Sequence, residues 1–282
     1  MVIRENLMKA GCLIAALLSI VAVLLITIFL FGNGFPAMHE IGIGKFLFGK
    51  IWRPNSNEFG IFPMIIGSLY VTAIAILIGV PIGVFSAIYL SYFCPKHVYK
   101  IVKPAMELLA GIPSIVYGLF GLVVIVPLGQ RLFPGTSGKS VLTASVILGI
   151  MILPTIITVS ESSIRSVPES IYHGALALGC TKESAVLRAV VPAASSGVVS
   201  AIILGVGRAI GETMAVIMVA GNQPVIPTSI LKGVRTMTAN IVLEMGYAAD
   251  LHRGALIATA VVLFVFILII NLSFSILRRR SS

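Results

Sequence analysis

Apolar runs of membrane-crossing length organise this chain. They occupy residues 11–31, 61–93, 108–128, 140–160, 193–220 and 254–277, with most polar residues gathered between them. About 20 predominantly apolar residues carry a helix across a bilayer. The pattern therefore predicts an all-α integral membrane protein with six spanning helices and both termini on one side. The first run follows Arg4 and Lys9. It exceeds the ~7–15 residues of a signal-peptide core, and no small-residue cleavage site follows, so it is expected to remain as the first helix.

Interruptions within the runs change this picture locally. The second is charge-free from Phe59 to Pro95, too long for one upright crossing, and Gly79-Val-Pro-Ile-Gly83 is expected to divide it. An interior proline frees a carbonyl and kinks a helix, while glycines allow a neighbour to approach closely. Similar punctuation stands at Gly111-Ile-Pro-Ser114 and Leu153-Pro154. Kinks that serve helix packing and kinks that serve as gating hinges remain alternatives for each.

The fifth run holds two opposite charges, Arg208 and Glu212, in Gly205-Val-Gly-Arg-Ala-Ile-Gly-Glu-Thr213. A charge at that depth costs about 2.5–3.5 kcal/mol on insertion scales, so it must face protein, water or a permeant solute. Spacing of i, i+4 on one helix would let the pair bridge. Gly207 and Gly211 form a small-xxx-small patch suited to a neighbouring helix. Two roles are open: a neutralised pair that locks helices together, or an arginine lining a path. In the second, Arg208 makes two hydrogen bonds to an oxyanion and Glu212 keeps that grip from becoming too tight. Tyr117, Ser114 and Asn222 are candidates for a polar route beside it. Glu107 has Lys103 at i−4, which suggests an interfacial salt bridge.

Between the fourth and fifth runs lies the most structured loop. Ser166-Val-Pro-Glu169 has the form of a capping box with Pro168 in the first turn, predicting a helix of about 12 residues through Leu178. Gly179 supplies a stop, and Thr181 caps a second helix running to Pro192. A short, charge-balanced helix-turn-helix of this kind suits docking on a protein; an interfacial helix that only anchors the loop is the alternative. The two outer segments, 32–60 and 221–253, are long enough to fold into short structures or to receive a partner.

Composition fits these expectations. The chain has 282 residues, 58% hydrophobic and 11% charged, with a mean hydropathy of +1.08. Soluble proteins carry about 25% charged residues. The net charge of +10 is scattered through short loops without interleaved aromatics, so membrane lipid and topology account for it, not nucleic acid. Arg4, Lys9, Lys96, Lys100, Lys103, Arg165, Lys182, Arg188 and Arg278–Arg280 fall on one side. Lys45, Lys50, Arg53, Arg131, Lys139, Lys232, Arg235 and Arg253 fall on the other. The basic residues directly against the spans place both termini in the cytoplasm. Cys12, Cys94 and Cys180 lack metal-ligand spacing and read as free thiols, and the four histidines lie far apart.

The segment His173-Gly-Ala175, Gly179, Val191-Pro192 resembles the EAA loop of ABC importer permeases, with the Gly and the Pro in register. His173 replaces the family's Glu, and Gly174, Ala189 and Val191 depart from its Ala, Ile and Leu. Glu58-Phe-Gly-Ile-Phe-Pro-Met-Ile-Ile-Gly-Ser-Leu-Tyr70, Glu107-Leu-Leu-Ala-Gly-Ile-Pro-Ser-Ile-Val-Tyr-Gly118, Ile150-Met-Ile-Leu-Pro-Thr155 and Gly207-Arg-Ala-Ile-Gly-Glu-Thr-Met-Ala215 closely resemble the C-type permease family of phosphate-specific ABC transporters. The resemblance spans nearly the whole chain and is weakest before residue 55. It implies an N-terminal helix and outer loop over 1–60. Over 61–282 it implies a type I ABC importer permease core, with a cytoplasmic coupling helix in the loop 161–192. Glu169, His173, Gly174, Ala175 and Gly179 would meet the ATPase. The implied partners are a sibling permease, two ATP-binding subunits and an extracytoplasmic phosphate-binding protein, in the plasma membrane of a bacterium or archaeon.

The chain offers no energy source or catalytic group of its own. Gly135-Thr-Ser-Gly-Lys-Ser140 ends like a phosphate-binding loop, but that motif needs four residues between its glycines and position 133 is Phe. It is expected to be a turn. No Ser-His-Asp order or His-Glu-x-x-His stands in a suitable context. A transport subunit without cofactor, importing inorganic phosphate with ATP bound by a partner, is the expectation. A permease for sulfate or another oxyanion and an ion-coupled secondary transporter are the alternatives, and no internal repeat supports the latter.

Overall fold

The computed structural model describes residues 2–280, with side chains for 8–273. The side chains of Arg4 and Arg278–Arg280, which entered the charge argument, lie outside that range. Helix α1 (Val2–Ile41) extends ten residues past the expected first span. Gly32, Gly34 and Pro36 do not stop it, because this end packs on the last helix: an added Cβ on Gly34 would lie 2.8 Å from Val261 and 3.1 Å from Ala258. The short helix α2 (Ile43–Phe48) follows. A two-stranded hairpin then pairs β1 (Trp52–Arg53) with β2 (Glu58–Phe59), turning at Asn57 with φ 53. The first outer segment thus folds into short structures.

The centre of the molecule is a parallel pair, α3 (Phe62–Ile88) and α7 (Val141–Arg165), in which Val71 faces Ser145 at one end and Gly83 faces Ile156 further along. α3 runs through Pro81 as one helix and continues as a π-helical turn over Tyr89–Phe93, so the expected division at Gly79–Gly83 does not occur. Those glycines serve close contact instead. An added Cβ would meet Ile152 at 2.8 Å from Gly79 and Ile156 at 2.7 Å from Gly83. Ser140 caps α7 by accepting from the Thr143 N–H at 3.2 Å, and Gly135 and Gly138 before it have φ of +87 and +71. The look-alike phosphate loop is a turn that ends in a helix cap.

The third span begins later than expected. An exposed amphipathic helix, α4 (Lys96–Gly111), precedes it, and the chain leaves helical geometry at Ile112 before α5 (Ser114–Phe120). A π-helical turn over Gly121–Ile125 leads into α6 (Val126–Leu132). After α7 come the loop helices α8 (Glu169–Ala177) and α9 (Lys182–Ala185), a π-helical turn over Val186–Val190, and α10 (Val191–Ala193). A bend of 71° then opens into α11 (Ser195–Gly211). The fifth span therefore starts at this bend and stops at Gly211, not at residue 220. The short helix α12 (Met214–Val219) follows, α13 (Met237–Glu244) lies in the second outer segment, and α14 (Asp250–Arg280) closes the chain. Among the described residues, five helices are long and apolar enough to cross a membrane, or six when the bent pair counts as one.

Three cores hold this together. One joins α3, α5, α7 and α12 around Val71, Ala75, Ile147, Ile152 and Val219. A second, outer core gathers Phe46, Trp52, Phe59, Met64 and Met237 with Leu256, so the first 60 residues share a core with the rest of the chain. A third lies at the opposite end, where Ile164, Val186 and Val190 seat the loop helices under Ala87 and Leu90.

Candidate functional site

The loop between the fourth and fifth spans is built largely as the sequence predicts. Ser166 is the exception: its hydroxyl donates to the Ser163 carbonyl, and α8 starts at Glu169 after Pro168, which has no side chain to cap it. The capping box does not form, and α8 is nine residues long. Its end is a double turn closed by the Gly179 N–H to the Leu176 carbonyl and the Cys180 N–H to the Ala175 carbonyl, with Gly179 at φ +85. Thr181 caps α9 by accepting from the Ser184 N–H. Glu169, His173, Gly174 and Gly179 are exposed and Ala175 is half-buried. Leu178 at the tip is 87% exposed. The Tyr172 ring contacts Tyr92 at 5.1 Å, which ties α8 to the foot of α3.

Arg208 and Glu212 do not form the expected pair. α11 ends at Gly211, and Glu212 sits beyond it in extended geometry with φ −68 and ψ 135. Its carboxylate accepts from the Ala215 N–H at 3.1 Å, inside the first turn of α12. Among the described residues no ion pair joins it to Arg208. A helix break thus replaces the shared face that i, i+4 spacing requires. Glu212-Thr213 resembles a helix start as much as a continuation, and that signal was present in the sequence. The break is held from above by Thr238, whose hydroxyl donates to the Glu212 carbonyl at 2.9 Å.

Arg208 is exposed on the open side of α11, and its positive charge acts on the nearby Tyr117 phenol. Tyr117 itself donates to the Leu109 carbonyl at 2.7 Å. That carbonyl would ordinarily pair with the N–H of residue 113, which is a proline without one. The expected close packing of Gly207 and Gly211 is absent within this chain: an added Cβ on either meets nothing within 4 Å. Gly205, two residues before Gly207, takes that role against Ile156 at 2.8 Å. The face bearing Arg208 is left open, while its neighbour is filled.

Two buried carboxylates escaped sequence reasoning. Glu161, 1% exposed, accepts from Tyr99 Oη and Lys103 Nζ at 2.7 Å each and from Arg165 Nε at 2.8 Å. Lys103 pairs here and not with Glu107. The hydrogen bond to Glu161 holds the Tyr99 phenol above its ordinary pKa. At the opposite face Glu244 joins Arg235, accepts from Trp52 Nε1 at 2.8 Å and meets His252 Nε2 at 2.9 Å. Trp52 and Glu244 are 192 positions apart, so no spacing in the sequence links them. Tyr99 lies 62 positions before Glu161, and only Arg165, at i+4, was readable.

Comparison with known proteins places this architecture. Residues 79–282 match the family described as "Binding-protein-dependent transport system inner membrane component". The chain is 36% identical over 279 residues to "Probable ABC transporter permease protein YqgH" of Bacillus subtilis, covering 95% of this chain and 89% of that one. It is 36% identical to "Phosphate transport system permease protein PstC" of Mesorhizobium japonicum, covering 91% and 84% of the two chains. The protein of the same name from Haemophilus influenzae is 33% identical over 93% of this chain and 89% of its own. Among solved structures, an inward-facing MetNI methionine ABC transporter chain superposes with a TM-score of 0.62 at 18% identity, over 82% of this chain and 100% of that one, which establishes a shared fold. The chain belongs to the binding-protein-dependent transport system inner membrane components, as a multi-pass permease subunit that is not itself an enzyme.

Proposed function

We infer that this chain is a membrane permease subunit of an ATP-driven importer of inorganic phosphate. The carrying observation is its likeness, over most of its length, to several proteins named phosphate transport system permease protein PstC. The physical features suit that role. Arg208 lies on an open helix face with no carboxylate on its guanidinium among the described residues. A planar guanidinium offers two parallel donors to phosphate oxygens, and a path through the membrane needs binding strong enough for entry yet weak enough for release. Glu212 contributes by shaping the break after α11, not by restraining Arg208.

The partners complete the machine. A sibling permease covers the open face of α11, forming a heterodimer with the path between the two. Two ATP-binding subunits dock on α8 and its tip through Glu169, His173, Gly174, Ala175 and Gly179, and bind the ATP that this chain does not. An extracytoplasmic phosphate-binding protein delivers the anion to the outer layer, with both termini of this chain in the cytoplasm.

The test is phosphate uptake into proteoliposomes containing the assembled complex and external binding protein, with ATP inside. Uptake should require ATP and should fall by about tenfold or more in Arg208→Gln, the loss expected for one charge-assisted contact. Uptake of sulfate in place of phosphate, or uptake that follows a proton gradient without ATP, would overturn the reading. Wild-type uptake in a correctly assembled Arg208→Gln complex would remove that arginine from the path.

A further inference from the structure

We propose that Glu161 is a positioning residue that carries movement of the docking loop to the third span, by clamping α4 to the foot of α7; this rests on the importer reading above. The clamp joins three separate elements at one point. Lys103 and Tyr99 come from α4, Glu161 and Arg165 from the last turns of α7, and Arg165 Nη2 donates to the Leu90 carbonyl in the π-helical turn below α3 at 2.8 Å. The Arg165 guanidinium also lies over the Tyr99 ring, 4.6 Å from its centroid. All three donors thus converge on one carboxylate shielded from solvent.

Its place in the chain gives the clamp its consequence. Arg165 is the last residue of α7, and the docking loop begins at the next position. Tyr172 of α8 and the fully buried Val186 and Val190 belong to the same core as Tyr99, Val102 and Met106 of α4. α4 has no buried residue of its own, so this half-buried contact strip and the Glu161 ion pairs fix where it lies. Its far end reaches the break at Ile112–Pro113, where Tyr117 of α5 reaches back to the Leu109 carbonyl. Tyr117 in turn belongs to the same core as Ala209 of α11, the residue after Arg208. A rigid α4 therefore connects the docking loop to α11 beside Arg208 through packed side chains. Coupling through such a chain needs a discrete joint, and a desolvated carboxylate with charged and neutral donors is one.

The experiment measures phosphate imported per ATP hydrolysed in the reconstituted complex, for Glu161→Gln, Lys103→Met and Tyr99→Phe. Loss of the clamp should lower this ratio by about fivefold or more in the two charge variants, the lower end of ordinary allosteric coupling, and less in Tyr99→Phe, with ATP hydrolysis continuing. Equal falls in import and hydrolysis, with the ratio unchanged, would mean a merely structural role and overturn the proposal. So would wild-type ratios in all three. If Glu161→Gln fails to assemble, Lys103→Met and Tyr99→Phe decide alone. A second readout does not depend on the solute. Cys94 is half-buried between α3 and α4, and with Cys12 and Cys180 replaced by Ser its labelling rate should change on ATP addition in the wild-type complex and not in Lys103→Met. If that contrast holds while the wild-type complex imports no phosphate, the substrate reading fails and the clamp stands. If both complexes respond alike, the clamp fails.

Discussion

Gly79-Val-Pro-Ile-Gly83 and Gly207-Arg-Ala-Ile-Gly211 are the same motif in two spans, a glycine, three residues and a glycine. Their surroundings are opposite. Cβ atoms added to the first pair would press on Ile152 and Ile156 of α7 at 2.8 and 2.7 Å, while those added to the second pair would find nothing within 4 Å. The first motif is spent on the chain's own core. The second sits beside an exposed arginine, below a helix break, on a face this subunit leaves for something else. Small-xxx-small spacing states that a helix can be approached closely and does not say by whom.

Four substitutions test how far that contrast extends, in decreasing order of expected effect on subunit stability. Glu244→Ala should be the most severe. It removes the carboxylate from Arg235, Trp52 and His252 in a buried site, and taking one partner from a buried pair costs about 3–5 kcal/mol. Because α13 also carries Thr238, the break above the open motif should loosen with it. Trp52, the single tryptophan, reports the loss through its fluorescence in thermal unfolding of the purified subunit. An unchanged unfolding midpoint would show that the outer layer does not hold the break.

Gly83→Val comes next, since it forces at least a methyl-sized group into Ile156, and overpacking of this kind costs about 1–3 kcal/mol. Unfolding by denaturant should reveal it, and tolerance of valine would mean that α3 and α7 separate more readily than their contacts suggest. Thr238→Val should have a smaller effect, about 1 kcal/mol, from leaving the Glu212 carbonyl without its donor; circular dichroism melting measures it. Gly207→Ala should leave the isolated subunit unchanged, or stabilise it by up to about 1 kcal/mol through helix propensity. A destabilised subunit would contradict the open face. Loss of co-purifying sibling permease with a stable subunit would identify what covers it.

What the sequence revealed depended on how local the cause was. Gly179 and Thr181 were readable because a left-handed stop and a hydroxyl cap act over three or four residues. The break at Pro113 was visible for the same reason. Ser166 misled because its hydroxyl had a nearer acceptor in Ser163, one turn back, than any N–H of α8. α4 was hidden because Leu108 and its neighbours are apolar enough to pass as the start of a span, although the charges before them mark an amphipathic helix lying outside it. Arg208 was located correctly as an unusual residue, but its partner was assigned by spacing on a helix that in fact stops at Gly211. The two buried glutamates were only partly within reach: Arg165 lies four positions from Glu161, but Tyr99 is 62 positions from it and Trp52 is 192 from Glu244.

The long first helix carries one more consequence, concerning bilayer thickness. Met8–Ile41 is 34 residues, about 51 Å at 1.5 Å per residue, against a hydrocarbon layer of about 30 Å. Tilting alone, which averages about 20°, does not absorb that excess. Part of α1 must therefore stand clear of the lipid. Near its C-terminal end Gly34 meets Ala258 and Val261, and Gly254 meets Ala37. The joint between this helix and the body is thus a close approach through small residues, the way helices pack where lipid supplies no hydrophobic drive. A side chain added at Gly34 should therefore loosen the attachment of α1.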